Sequence, residues 1–319
     1  MKVSSHACSA VSGVLYMVGT LVCLRACLAA DRDDENEVIK RGGKRVPSVE
    51  LGAIYYQKYA DSGKKKTLPP RRGYPSLRSS CTKVAKVPRY YRRSMRIDNY
   101  YQKYMHAYGI PVLGASSVSD RAMRRACYVL RFLLGDRHDL VKNYYEAYGR
   151  VAIIPAGAKL RSLPEFRFLP RQFDDETPGL GATVSVPVSV AREENIVCDS
   201  KDKSPDDILL QTLAEGIYQL AVRKQIPGYD AELRRLYNSA LATGWWKNTY
   251  SRYSPEVYFS EGVQSFFNVN SYADPPNGYS NRVNSRSKLQ NYDARLFRMI
   301  HFVFPCGNNY LTRCNSRGE

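Results

Sequence analysis

Pro205-Asp206-Asp207-Ile208-Leu209-Leu210-Gln211-Thr212-Leu213-Ala214-Glu215-Gly216-Ile217-Tyr218-Gln219-Leu220-Ala221-Val222-Arg223-Lys224 is the stretch on which the fold turns. Leu209, Leu210, Leu213, Ile217, Leu220 and Ala221 recur at helical spacing, so the segment reads as the longest helix of the chain, with one apolar face. Gln211, Thr212 and Glu215 are polar residues set among those apolar ones, and burial obliges such groups to find partners.

Outward from this helix the pattern is mixed. Ser119–Leu134 places Met123, Ala126, Cys127, Leu130, Leu133 and Leu134 on one helical face, with Gly135 as its stop. Asp139–Tyr148 reads as a helix capped by Asp139 and ended by Gly149, and Asp98–Tyr108 as a short Tyr-rich helix stopped by Gly109 and Pro111. Pro255–Asn268 and Leu289–Val303 read as further helices. Val151-Ala152-Ile153-Ile154 is a buried strand, and Leu180–Val190 an edge strand or hairpin arm. Many helices with a few strands predict an α+β domain.

The chain has 319 residues, 44% of them hydrophobic, and a formal net charge of +18, which excludes a wholly disordered chain or a fibrous repeat. Lys40–Arg96 holds 17 Lys+Arg against two acids (Glu50, Asp61), whereas Asp98–Glu319 holds 28 against 23. The predicted domains are a secretory signal over residues 1–30, a basic Tyr-rich arm or pro-segment over 31–96, and the folded domain over 97–319. In the signal, Lys2 precedes the apolar run Val11–Leu24, and small residues close it at Ala29-Ala30. Dibasic Lys40-Arg41, Lys44-Arg45, Arg71-Arg72 and Arg92-Arg93 are sites where a pro-segment could be cut. Secretion argues against nucleic acid as the partner of the arm and, once the signal is cleaved, leaves no segment to hold the chain in a membrane. Five cysteines then remain, Cys81, Cys127, Cys198, Cys306 and Cys314, for an oxidising compartment. Cys306–Cys314 is the first expected pair and Cys127–Cys198 the second, leaving Cys81 over.

Four His is few for a metal or general-base enzyme. His106 and His138 fall beside expected helix ends, where surface or capping roles are common, and His301 falls in an apolar run expected in the core. Trp245-Trp246 and Phe266-Phe267 are expected as core and rim aromatics, or as the lining of a groove.

An ordered series of short stretches carries a resemblance: Asn99-Tyr100-Tyr101-Gln102-Lys103-Tyr104, Ile110-Pro111-Val112, Gly149-Arg150-Val151-Ala152-Ile153, Gly179-Leu180-Gly181-Ala182-Thr183, Glu193-Glu194-Asn195, Asp207-Ile208-Leu209, Glu261-Gly262-Val263-Gln264-Ser265 and Val283-Asn284. In that order they resemble secreted zinc metallopeptidases of the zincin type, which carry a His-Glu-x-x-His helix and a later Glu as third ligand. The resemblance implies a zincin-like fold from about Asp98 to Cys306. It also puts Gln211 and Glu215 at the two His positions, Thr212 at the general base, and Glu261 at the third ligand. Phe166 and Arg282 stand where members often carry further His.

The resemblance therefore implies a degenerate member, with zinc lost and no hydrolysis. Gln211, Glu215 and Glu261 would offer oxygen donors, which suit Ca²⁺ or Mg²⁺ better than Zn²⁺. The preferred reading is instead that Gln211 and Glu215 hydrogen-bond across the old cleft, with Arg282 as the cation that pairs Glu261. The expected function is a secreted, catalytically inactive protein with a binding or structural role in an extracellular matrix of the biomineral kind. Its arm would hold acidic extracellular polymers or acidic matrix proteins by charge and cation–π contact. Two alternatives stay open. One is a peptide-binding module whose retained cleft uses Glu261 and Trp245; the other is a hydrolase with an oxygen-rich metal site.

Overall fold

In a computed structural model of the chain the described residues are 80–304, apart from 136, 170, 172–177 and 200–205. The six strands are β1 (Ser80–Lys86), β2 (Lys103–Ala107), β3 (Ile110–Gly114), β4 (Arg150–Ile154), β5 (Gly179–Leu180) and β6 (Val188–Arg192), in the order β1-β2-β3-β4-β6-β5. β1, β2 and β3 form an antiparallel meander. β4 and β6 continue it in parallel, and β5 closes the far edge antiparallel to β6.

The helices are α1 (Arg89–Ser94), α2 (Asp120–Leu134), α3 (His138–Glu146), α4 (Glu193–Val197), α5 (Ile208–Ile217), α6 (Tyr229–Ala242), α7 (Pro255–Phe266), α8 (Arg286–Tyr292) and α9 (Ala294–Val303). After α5 the chain continues as a π-helical turn, Tyr218–Val222, and a last helical turn, Arg223–Gln225. Both faces of the sheet are covered. Val112, Val151, Ile153 and Ala191 meet the main helical layer. Leu113, Ala152, Ile154, Val188 and Val190 meet Met95, Ile97, Tyr101 and the 160–169 segment. Burial on two sides explains why β3 and β4 read as continuous apolar runs rather than alternating ones. The mixed α/β architecture agrees with the α+β class, and no described helix is long and apolar enough to cross a membrane.

Several elements match the sequence reading. α2 is capped by Ser119, whose side chain accepts from the Ala122 N–H, and all six residues of the expected face are buried. Others are corrected. Asp98–Tyr108 is not a helix: Lys103–Ala107 is strand β2, held by β1 and β3, and sheet pairing overrides local helix preference. His106 therefore sits in a strand, and its Nδ1 accepts the Gly109 N–H. Asp139 lies inside α3 rather than capping it, gripped by Arg137 in a two-point ion pair. The Leu180–Val190 element is two short strands, β5 and β6. The helix expected over Leu289–Val303 is interrupted at Asp293, which caps α9 by accepting the Leu296 N–H. His301 is exposed, stacked on Phe297 rather than placed in the core.

Regular structure begins earlier in the chain than expected. Ser80–Lys86 is an edge strand and Arg89–Ser94 a helix, so the domain begins by residue 80 and takes six of the Lys and Arg assigned to the arm. Lysines at an edge strand discourage further strand pairing, so their presence is compatible with β structure. Cys127 bonds Cys81, not Cys198, with the two Cα atoms 5.4 Å apart, because α2 lies against β1. Cys198 is also disulfide-bonded. The signal, residues 31–79 of the arm and the Cys306–Cys314 pair lie outside the described residues.

Candidate functional site

The site is built on α5 and α7, and two braces fix where α5 begins. Asn195 donates its amide to the Asp206 carbonyl and accepts the Ile208 N–H, and Asp207 accepts the Leu210 N–H as the N-cap. Glu193, buried next to Asn195, accepts the backbone N–H groups of Ser119 and Ala156. The Glu193-Glu194-Asn195 stretch thus works as a structural clamp that sets the helix entry. α7 starts with Ser254 as cap, accepting the Val257 N–H, and Pro255 at its first position.

The two helices run antiparallel, joined by a polar seam. Gln264 donates to the Asp207 carbonyl at 3.0 Å. Gln211 Nε2 donates to Glu261 Oε1 at 2.8 Å. Ser260 Oγ donates to Glu215 Oε1 at 3.1 Å. Thr212 turns back on its own helix, its hydroxyl donating to the Leu209 carbonyl, while Ser189 of β6 donates to the Thr212 carbonyl. Gln211, Thr212, Glu215 and Glu261 are all buried. The Glu215 carboxylate lies so close to Gly181 that a side chain at Gly181 would run into it. Gly262 has a similar role on the opposite side of α7, where a Cβ would meet Leu296 and Ile300 of α9 at 2.7 Å.

Further along the seam the chemistry changes. Arg234 of α6 reaches Glu256 at 3.2 Å and Asp230 at 3.1 Å, and Arg223 reaches Asp230 at 3.2 Å. The Tyr218 hydroxyl donates to Asp230. Burial opposes the charge of Asp230, but the hydrogen bonds from Tyr218 and Arg234 and the nearby guanidinium charges outweigh it and hold the carboxyl below its ordinary range. Burial, then the hydrogen bond to Asp230, pushes the Tyr218 phenol well up.

The residues that the sequence puts at the site are only partly brought together. Gln211 and Glu261 touch, and Glu215 meets the residue preceding Glu261. Arg282 is not their counter-ion: it is 72% exposed and faces Asp274 at 3.7 Å. Trp245 is 44% exposed and stacks on Tyr292, in the segment between α6 and α7, while Trp246 is buried and donates to Asp293. Phe166 is buried under the sheet, and its neighbour Glu165 accepts from Tyr101 and Arg150. Ser260, Gly181 and the Tyr218–Asp230–Arg234–Glu256 network were not singled out from the sequence. The Asp230/Arg234 spacing of four within a helix was the available signal for the network.

Zinc does not fit this donor set. Gln211 turns the N–H side of its amide toward Glu261, a donor where a ligand must offer a lone pair, and neither imidazole nor thiolate is supplied. Among the described residues no three His, Cys, Asp or Glu side chains gather closely enough to hold a metal ion.

No family model and no curated protein matches the chain. Among solved structures it is similar to the PRO-PRO endopeptidase PPEP-2 from Paenibacillus alvei, at 14% identity and a TM-score of 0.39, over 60% of this chain and 97% of that one.

Proposed function

We propose that this protein is a secreted, non-hydrolytic member of the zincin-like peptidases, in which a former metal site serves as a structural seam and the work of the molecule is binding. One observation carries the reading. Gln211 and Glu261, at the positions of a first and a third ligand, hydrogen-bond each other directly at 2.8 Å inside the protein. The position that the resemblance gives to the general base is also changed. Thr212 cannot take a proton near neutral pH, and its hydroxyl is spent on the Leu209 carbonyl.

The experiment is a metal and activity assay on the purified full chain. Substoichiometric zinc, with no cleavage of broad peptide substrates in Zn²⁺, Mn²⁺, Ca²⁺ or Mg²⁺, is the expected outcome. Stoichiometric zinc with chelator-sensitive cleavage overturns the reading. Acidic polymers of an extracellular matrix are the partner class that the net positive charge supports. Truncation at residue 96 would not test the arm, because it would remove β1 and half of the Cys81–Cys127 disulfide. Neutralising Lys64, Lys65, Lys66, Arg71 and Arg72 tests the arm and leaves those in place.

A further inference from the structure

The outward face of α2 carries Arg121, Arg124, Arg125, Tyr128 and Arg131 at spacings of three and four, so they form one stripe opposite the buried face. Five of the helix's residues are charged and four of these are Arg. Its one acid, Asp120, is held by Lys103 at 2.8 Å. Arg125 leans toward Asp207 at 3.8 Å. Arg121, Arg124 and Arg131 make no ion pair among the described residues and are exposed. A merely solvated helix surface ordinarily mixes signs evenly, and here Arg outnumbers acid four to one.

The stripe is also held in shape. Tyr128, itself exposed, lies between the guanidinium carbons of Arg125 and Arg131, 5.8 and 5.7 Å from its ring centroid. These contacts restrict two long side chains before any ligand arrives, which lowers the entropy lost on binding. Behind the stripe, Cys127 fixes the helix to β1 through the disulfide. The platform is therefore held in shape, strongly basic and made of guanidinium forks, which match planar or tripodal oxyanions in two-point hydrogen bonds.

We infer that this face of α2 is a binding site for an anionic polysaccharide, its sulfate or carboxylate groups seated on Arg121, Arg124, Arg125 and Arg131. Arg121 and Arg131 lie ten residues apart, about 15 Å along the helix, with Arg124 and Arg125 adjacent between them. A pyranose unit is about as long as one helical turn, so a stiff glycan of about three units laid along α2 reaches from Arg121 to Arg131. The described part of the chain contains disulfides, which persist in oxidising compartments where such glycans occur and nucleic acids are scarce. The inference rests on the reading of the chain as a secreted binding protein.

The test uses the full chain and four probes of matched charge: heparin for sulfate, polygalacturonate for carboxylate, polyglutamate and a single-stranded oligonucleotide. Arg121→Ser, Arg124→Ser and Arg131→Ser are combined, and Lys247→Ser, Arg295→Ser and Arg298→Ser remove the same charge from exposed positions elsewhere. The stripe variant is expected to lose at least tenfold in affinity for one or both polysaccharides. Its log-affinity versus log-salt slope should fall by roughly two to three. The control should lose less than threefold, and the melting temperature of both variants should stay within a few degrees. Equal losses in the two variants, or tighter wild-type binding to polyglutamate or the oligonucleotide, would overturn the inference. Such a result leaves the non-hydrolytic reading intact, since that reading stands or falls on metal content and cleavage.

Discussion

Glu256 and Glu261 sit on the same helix, five residues apart, and are 2% and 3% exposed, and each accepts a hydrogen bond from a different kind of donor. Glu256 meets the guanidinium of Arg234, which also grips Asp230, so that end of the α5–α7 seam is a network of charges. Glu261 takes its hydrogen bond from the neutral amide of Gln211, and Glu215 takes one from the hydroxyl of Ser260. A buried carboxylate needs donors, and a cation is one source among several. An amide and a hydroxyl occupy the end where the resemblance would place a metal. On the proposed reading, that end serves to hold two helices together.

Gln211→Leu strikes the amide end directly and should have the largest effect. Removing one partner of a buried hydrogen bond and leaving the other unsatisfied costs about 2–3 kcal/mol, read by denaturant unfolding. Combining it with Glu261→Leu should recover part of that loss, because two apolar side chains leave no unmet carboxylate. Strict additivity of the two losses would show that the contact holds nothing. Gly181→Ala should cost about 2 kcal/mol by forcing the Glu215 carboxylate to shift. Arg234→Ala breaks the charged end and should cost about 1–2 kcal/mol, since Glu256 is left buried without its guanidinium while the exposed side of Arg234 lets water offset part of the loss.

Acid separates the ends more gently. Asp230 has a folded-state carboxyl below its ordinary range, so its contribution is complete above about pH 4 and lost as pH falls through that lowered value. Tyr218 is raised, so its contribution is complete below about pH 10 and lost as pH rises through the raised value. Arg234→Ala should flatten the acid limb of a stability–pH curve, while Gly181→Ala should lower the curve without changing that limb.

The parts of the molecule that the sequence reveals are those where local and tertiary preferences agree. α2 has a complete apolar stripe, a Ser cap and a well-defined buried face, and it forms as read. β4 is a short run of branched residues buried on both sides. β2 was missed because Lys103, Tyr104, Met105 and His106 carry no strong strand alternation of their own; β1 and β3 impose the extended form. β1 was missed because its lysines made it look like a solvated tail, and only pairing with β2 and the bond to Cys127 show otherwise.

At the site, the ordered motifs singled out Gln211 and Glu261, but the partner expected for Glu261 was Arg282, and the bond that forms is the one from Gln211. The direction of Arg282 was not legible, because the loop from Asn268 to Ser285 sets it and carries no periodic signal. The Tyr218–Asp230–Arg234–Glu256 network draws on three elements, so no single window of sequence displays it.

Thermal unfolding of the full chain with and without zinc, and with a chelator, tests the central claim most directly. A ligand that binds only the folded form stabilises it in proportion to the logarithm of its concentration over its dissociation constant. If Gln211 and Glu261 serve each other, neither zinc nor chelator should move the melting temperature. A rise with zinc that the chelator reverses, abolished by Glu261→Leu, would contradict the account.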